Sequence, residues 1–397
     1  METLGQFLPA GFEATVRLNP GTSSTVELRV IKNLDEFSSV RVAWDALIGT
    51  LDPIPLPLSH GWLCSWLTAF ANEDHMEFRC VYLDGRLVGV GPFLRERERY
   101  RGVPVSILKL AANGHSPYSM VIVHPELTEV QKRAALELLT RVEPDEVGLF
   151  FKIPKLDHLR SFLLDQSGVG HEYVGEKPGL LTPVIPVKGD WKTFFAARPR
   201  KLKKSLNHKL NRYNRAGDFV IDVEAIRRDD QPIVDELISI SANSWKSAIG
   251  NDLDSNLRSR QFFFNLINAF GASGCLTAWI MRRGDTPVAY ELHLSDDGVV
   301  YPIRADYHQA FKSFSPGSIL EYTALKHLFD SRSARQYYTC ADDYWYLSNW
   351  THEYREFCTI EVFGSSLKLR ALFYLEYSVI PVIKRLLGKH RHKPGTT

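Results

Sequence analysis

Apolar residues recur along this chain in two rhythms, and the switch between them predicts its elements. TVELRVI (25–31) reads as a strand. In LDEFSSVRVAWDALIGT (34–50), Phe37, Val40, Trp44 and Leu47 fall three or four apart, which puts them on one stripe of a helix. SHGWLCSWLTAFAN (59–72) reads as a second helix with Ser59 as its N-cap. Between them, DPIPLPL (52–58) must be a loop, because its three prolines forbid a helix. FRCVYLDGRLVGVGPFLRERER (78–99) is a hairpin that turns at Asp84-Gly85. A further strand pair, a helix over 127–142, a strand over 147–153 and a helix over 156–166 follow.

The pattern then begins again. After a turn-rich linker from Gly168 to Pro186, a long helix is expected from Asp190 to Gly217, then the strand FVIDVEAI and helices over 233–248 and 259–273. Residues 275–307 form three strands joined at Gly284-Asp285 and Asp296-Asp297-Gly298. A loop, a helix, the strand ARQYYTCAD, an aromatic loop and the strand FCTIEVFG complete this half. The expected fold class is α/β, an α+β mixed sheet of two related units in tandem, each a twisted, mostly antiparallel sheet flanked by helices. The expected divisions are a flexible arm (1–24), an N-terminal unit (25–180), a C-terminal unit (181–388) and a basic tail (389–397).

Composition narrows the classes of function. The chain has 397 residues, which at about 150 per domain fits two or three domains. Its 44% hydrophobic and 24% charged residues are those of a globular protein and exclude collagen, coiled coil and wholesale disorder. The 48 Lys+Arg against 46 Asp+Glu leave a formal charge of +2, so any polyanion site must be local. Cys64, Cys80, Cys275, Cys340 and Cys358 are odd in number and without a CxxC pair, which fits a reducing cytoplasm and no metal site. There is no signal-peptide pattern. The most apolar stretch, LRALFYLEYSVIPVIKRLLG (369–388), is interrupted by Arg370, Glu376 and Pro381. It reads as a helix docked on a core, with peripheral membrane contact as the alternative.

Two segments carry candidate chemistry. In 299–328 a strand runs into FKSFSPGS and a helix starts at once. Ser315 or Ser318 can cap that helix, Pro316 suits its first turn, and Gly317 lets a ligand approach the backbone. First-turn N–H groups and the helix dipole favour an anion there, with Lys312 and Arg304 to add charge. The loop is neither a Walker A loop nor GxGxxG. The second segment, Arg198 to Arg215, holds eight Lys/Arg and no acid, with Leu202, Leu206, Leu210 and Tyr213 on one helical face. Its charged faces suit a phosphate group, an anionic acceptor, tRNA or an anionic membrane, or are simply solvated.

Read together, the meander, the Ser-Pro-Gly loop, the helix, the strand and an aromatic segment ending in Trp350 resemble the C-terminal half of the GNAT (N-acetyltransferase) superfamily. RPRKLKKSLNHKLNRYNRAGDFVIDVE (198–224), GDTPVAYELHL (284–294), ADYHQAFKSFSPGSILEYTALKHL (305–328) and Tyr346 with Trp350 are similar to its CelD/BcsL-type branch, connected with cellulose and exopolysaccharide biosynthesis. That branch is itself similar to the FemABX peptidyltransferases, which carry two GNAT-like units. The chain departs from the branch at Tyr338, Leu347 and Asp342.

The resemblance implies an acyltransferase that uses acetyl-CoA or another acyl-CoA as co-substrate. Its acceptor would be an amine or hydroxyl on a small molecule or glycan precursor. Phe314, Ser315, Pro316, Gly317, Ser318 and Ile319 would hold the CoA diphosphate, and the strand 299–305 would splay from 335–341 to admit pantetheine. Thioester aminolysis needs a deprotonated nucleophile and a reprotonated thiolate. Candidate bases are Glu291 and His293, alternate residues of the middle meander strand, and Asp342 and Asp343. Candidate acids are Tyr338, Tyr344 and Tyr346, while Lys201, Lys204, Tyr338 and Trp350 are candidate substrate contacts. NGHSPYS (113–119) starts no helix, so the N-terminal unit is expected to shape the acceptor cleft. The alternatives are a FemABX-like aminoacyl-tRNA-dependent peptidyl ligase and a non-catalytic binding protein; nucleic acid is not expected, because the long helical arm of many FemABX members is missing.

Overall fold

The computed structural model describes residues 14–17, 25–165, 173–344 and 346–388. Most of the expected arm, residues 168–172 of the expected linker and all of the expected basic tail lie outside the described residues; the rest of that linker is not turn-rich but a long strand, Tyr173–Pro186, whose residues pair on both sides. The first half opens with β1 (Ala14–Arg17) and β2 (Thr25–Ile31). The helix expected over 34–50 is two, α1 (Leu34–Ser39) and α2 (Arg41–Ile48), broken at Val40. Its stripe survives the break, for Phe37, Val40, Trp44 and Leu47 are all buried. α3 (His60–Phe70) starts where Ser59 accepts from the Trp62 N–H. Then come β3 (Met76–Leu83), β4 (Arg86–Tyr100), β5 (Val103–Leu110), β6 (Ile122–Val123), α4 (Glu129–Thr140), β7 (Glu146–Pro154), α5 (His158–Leu164) and β8 (Tyr173–Pro186).

The second half repeats this order. The long helix expected from Asp190 is divided into α6 (Trp191–Ala196) and α7 (Arg200–Ala216). Pro199 is the cause: it cannot donate to a helical ladder, and it keeps the residue before it out of the helical region. Gly217, at φ +71°, ends α7 in the left-handed conformation that glycine adopts freely. β9 (Phe219–Ala225), α8 (Gln231–Ala242) and α9 (Leu257–Phe270) lead to the meander β10 (Leu276–Arg283), β11 (Thr286–Asp296) and β12 (Val299–Tyr307). α10 (Pro316–Ser331), β13 (Gln336–Tyr338), β14 (Tyr354–Phe363), α11 (Leu367–Tyr374) and α12 (Ile380–Gly388) complete the chain.

All these strands join one mixed sheet, in the order β1-β2-β3-β4-β5-β7-β14-β8-β13-β12-β11-β10-β9, with β6 on β4. Pairing is antiparallel except at β5–β7 and β12–β13, which occupy corresponding places in the two halves. The halves interlock: β14 of the second pairs with β7 of the first, and β8 of the first pairs with β13 of the second. The boundary expected at 180/181 thus falls inside β8.

Strand alternation sends the two sides of the second meander to different cores. Trp279, Met281 and Ala289 pack under Ile319 and Leu320 of α10. Ala278, Ile280, Tyr290 and Leu292 pack on the other face, with α8, α9 and α3. The C-terminal stretch docks only in part. Leu369 and Leu372 of α11 are buried, and Glu376, in a π turn, pairs with Arg101 at 2.5 Å and Lys177 at 2.9 Å. Beyond it, Val382, Ile383 and Leu386 of α12 are exposed, so the docked helix expected over 369–388 holds for its first turns alone. Among the described residues no helix is long and apolar enough to cross a membrane.

Candidate active site

The start of α10 presents bare backbone donors. A short 3₁₀ segment (Gln309–Phe314) delivers the chain to Ser315, which sits in the left-handed region at φ +57°, ψ 49°. A non-glycine residue costs about 1 kcal/mol there. No side chain caps the helix: neither Ser315 nor Ser318 fills the capping role the sequence suggested. The Ile319 N–H closes on the Ser315 carbonyl at 3.3 Å, and Pro316 has no N–H. The Gly317 and Ser318 N–H groups meet no acceptor among the described residues. A Cβ built on Gly317 would find only Tyr307, 3.9 Å away. Two unsatisfied donors at the positive end of a sixteen-residue helix, in open space, suit an anion.

The basic helix supplies charge to the same spot. Lys209 of α7 donates to the Ser318 hydroxyl at 2.8 Å, and Arg212 donates to the Ser313 carbonyl. Burial holds the Lys209 ammonium below its usual pKa, with Glu321 pulling the other way. Leu206 is buried with Leu202 in one core cluster, while Leu210 and Tyr213 pack in another with Phe219, so the apolar stripe faces inward as the helical spacing required. Lys201 and Lys204, nearer the start of α7, are exposed. Phe314 packs on Phe219 at 5.0 Å, beneath the Arg283 guanidinium.

Next to this helix the sheet opens. β12 and β13 pair only at Val299–Gln336 and Val300–Tyr337, after which β12 runs on to Tyr307 while β13 stays with β8. Cys340, at φ +56°, bends the chain just past β13. The result is a wedge-shaped gap between parallel strands, beside α10.

A carboxylate and imidazole cluster lies beneath α10. Glu291 and His293 project from the same face of β11 and are both buried, with His293 Nε2 3.0 Å from Glu291 Oε2. His293 packs against Trp279 and Tyr337. Glu321 of α10 joins them, its carboxyl enclosed although the residue as a whole is only partly buried. Burial, then the Glu291 charge, push the Glu321 carboxyl up to about 8, against a hydrogen bond from Trp350 and the charge of Lys209. Tyr346 is pushed up to about 12 by burial, then by Glu321, Tyr344 and Glu291. Glu321 and Tyr337 were not picked out from the sequence. Glu321 had a signal: an acid set among Ile319, Leu320, Ala324 and Leu325 on a helix that must bury those residues.

Other candidates lie elsewhere. Tyr338 points to the opposite face of β13 from Tyr337, against Tyr118 and Tyr301. Trp350, whose side chain bonds Glu321 at the edge of the cluster, is otherwise buried among Trp191, Phe194 and Phe195, and its carbonyl accepts from Arg198. Asp342 is at the surface, where its carboxylate accepts from the N–H groups of Asp343 at 2.8 Å and Leu181 at 3.4 Å. Arg304 does not reach the loop. Its guanidinium turns toward α8 and α9, bonding Asp306, Tyr290, Ser241 and the Asn251 carbonyl.

A meander, a helix opening on free N–H groups and a parallel pair that parts beside it all lie between residues 276 and 338. Residues 200–347 match the family described as acetyltransferase (GNAT) domain. No curated protein matches the chain. Among solved structures, it is similar to a conserved protein of unknown function from Bacteroides thetaiotaomicron, at 10% identity over 82% of this chain and 97% of that one, with a TM-score of 0.54. It is also similar to the C-terminal domain of a protein named as a lysylphosphatidylglycerol synthetase from Agrobacterium fabrum, at 10% identity over 87% and 96% of the two chains, with a TM-score of 0.50. These likenesses are of fold.

Proposed function

We propose that this protein is an acyl-CoA-dependent acyltransferase acting on an amine or hydroxyl acceptor. The observation that carries the reading is the pair of unsatisfied N–H groups at Gly317 and Ser318, flanked by Lys209 and Arg212 and opening on the β12–β13 gap. Diphosphate oxygens accept from such a turn, and Lys209 and Arg212 balance their charge. The gap gives pantetheine unpaired β12 backbone to bond. Transfer then forms a bond from the acceptor nitrogen or oxygen to the acyl carbon and breaks the carbon–sulfur bond. The His293–Glu291 pair takes the acceptor proton, directly or through a water, as a base held by a buried carboxylate. Glu321, whose carboxyl keeps its proton at neutral pH, is the acid that returns a proton to the leaving thiolate. Two neighbouring acidic side chains thus divide the base and acid roles. Asp342 takes no part, since its carboxylate ties its loop to β8. Involvement in exopolysaccharide or envelope metabolism is the setting that the branch resemblance suggests.

Calorimetric titration with acetyl-CoA tests the reading: saturable binding that Gly317→Glu weakens by about two decades is expected, and no binding by the folded parent refutes it. One observation favours a second donor, an aminoacyl-tRNA: Lys201, Lys204 and Arg215 are exposed along α7. Activity that ribonuclease destroys would select it.

A further inference from the structure

Across the sheet from α10 lies a cavity of about 510 Å³ that the reading above leaves unused, a size suited to a small molecule. Both halves of the chain build it. Phe70 and the Asn113–His115 loop form one wall, and the loop between α8 and α9 with the start of α9 forms another. Ile303 and Arg304 form its floor, in the stretch of β12 that has parted from β13. The pairing of β11 with β12 jumps from Leu292–Arg304 to His293–Pro302, a bulge that leaves Ile303 unpaired and turns both residues to the cavity.

The cavity carries uncompensated positive charge. Lys246 and Arg304 share one carboxylate, Asp306, at 2.6 and 2.8 Å. Arg304 and Asp306 are buried and Lys246 nearly so, so these charges are weakly screened. Arg258, at the rim, has no carboxylate partner among the described residues. The nearest acids in sequence are engaged: Asp252 accepts from the Ser255 hydroxyl and Asp254 faces Arg260 at 3.8 Å. His115 lies flat on Phe70 at 5.1 Å and bonds the Ser259 hydroxyl at 3.0 Å. Burial, then Arg304, Lys152 and Lys246, bring its pKa down to about 4, so it is neutral at pH 7.

We propose that this cavity binds the acceptor, and that the acceptor carries an oxyanion, carboxylate or phosphate, held by Arg258, Lys246 and Arg304. As an acceptor site the proposal rests on the acyltransferase reading; as an anion pocket it stands on the cavity alone. Its place beside the gap lets an acceptor held there reach a thioester entering from the α10 side.

The test is calorimetric titration of the full chain with glucose 6-phosphate, glucuronate and glucose, and separately with acetyl-CoA. At least one charged sugar is expected to bind, more weakly as salt rises, and glucose is not. The phosphate and carboxylate arms tell which oxyanion is preferred. Arg258→Gln, at an exposed position, and Lys246→Gln should each weaken that binding by about tenfold, with acetyl-CoA affinity unchanged. Charged-sugar binding that survives acetyl-CoA failure keeps the pocket and removes the donor. No charged-sugar binding, equal binding of glucose, or indifference to both variants overturns the proposal, whatever acetyl-CoA does.

Discussion

A carboxylate at position 317 separates folding from ligand binding at the start of α10. The Cβ of Gly317→Glu has room, with its nearest neighbour 3.9 Å away. Replacing glycine inside a helix recovers about 0.5–1 kcal/mol of backbone entropy. An acid in the first turn gains a further ~0.3–1 kcal/mol from the helix dipole. The variant should therefore melt no lower than its parent. Binding should respond in the opposite sense. One negative charge about 5 Å from a diphosphate oxygen, at an effective dielectric of about 20, costs about 3 kcal/mol, or about two decades of affinity. Gly317→Gln adds the bulk without the charge and should lose less, with little salt dependence. The assay is acetyl-CoA calorimetry at two ionic strengths beside thermal unfolding. A stable Glu variant that binds within about threefold of the parent refutes the argument.

The enclosed Glu321 carboxyl makes stability depend on pH. Its pKa rises from an ordinary 4.5 to about 8 on folding, so between those values the native state holds a proton that the unfolded chain releases. Parent stability should fall as pH rises through that window and level off above it. Glu321→Gln should gain on its parent from about pH 5 to about pH 8 in urea unfolding; a constant difference contradicts the assignment. Glu291→Gln should lower turnover by about 100-fold or more with acyl-CoA affinity nearly intact, and equal losses in both would mean that the pair acts in binding. Asp342→Asn should change turnover less than twofold, roughly, since the side chain ties its loop to β8 and an amide oxygen can accept the same bonds, and a large loss would return it to the chemistry. Trp350→Ala empties a buried aromatic site and should cost about 3–5 kcal/mol in denaturant unfolding; a smaller loss would mean that the cluster closes over the gap.

Much of this molecule was legible because its signals are local. The meander turns, the Ser59 cap, the end of α7 at Gly217 and the apolar faces of α2 and α7 each depend on a few neighbouring residues. The Ser-Pro-Gly loop was found the same way, and so was the Glu291–His293 pair, since residues two apart on a strand share a face. Errors came where one residue decides a direction. A helix was read through Pro199, and Tyr338 was chosen where its neighbour Tyr337 faces the imidazole. Arg304 was set beside the loop because it is close in sequence, yet it projects to the other side of the sheet.

The sequence alone thus determined most of the elements, their order and the helix start at Pro316, though not β8, since periodicity and turn chemistry act over a few residues. Tertiary structure alone decided the exchange of β8 and β14, the wedge between β12 and β13, the approach of Glu321 to Glu291, and the cavity shared by His115 and Arg304. Those features join residues far apart in the chain, and they depend on strand register and on which face each side chain takes, which no local pattern records.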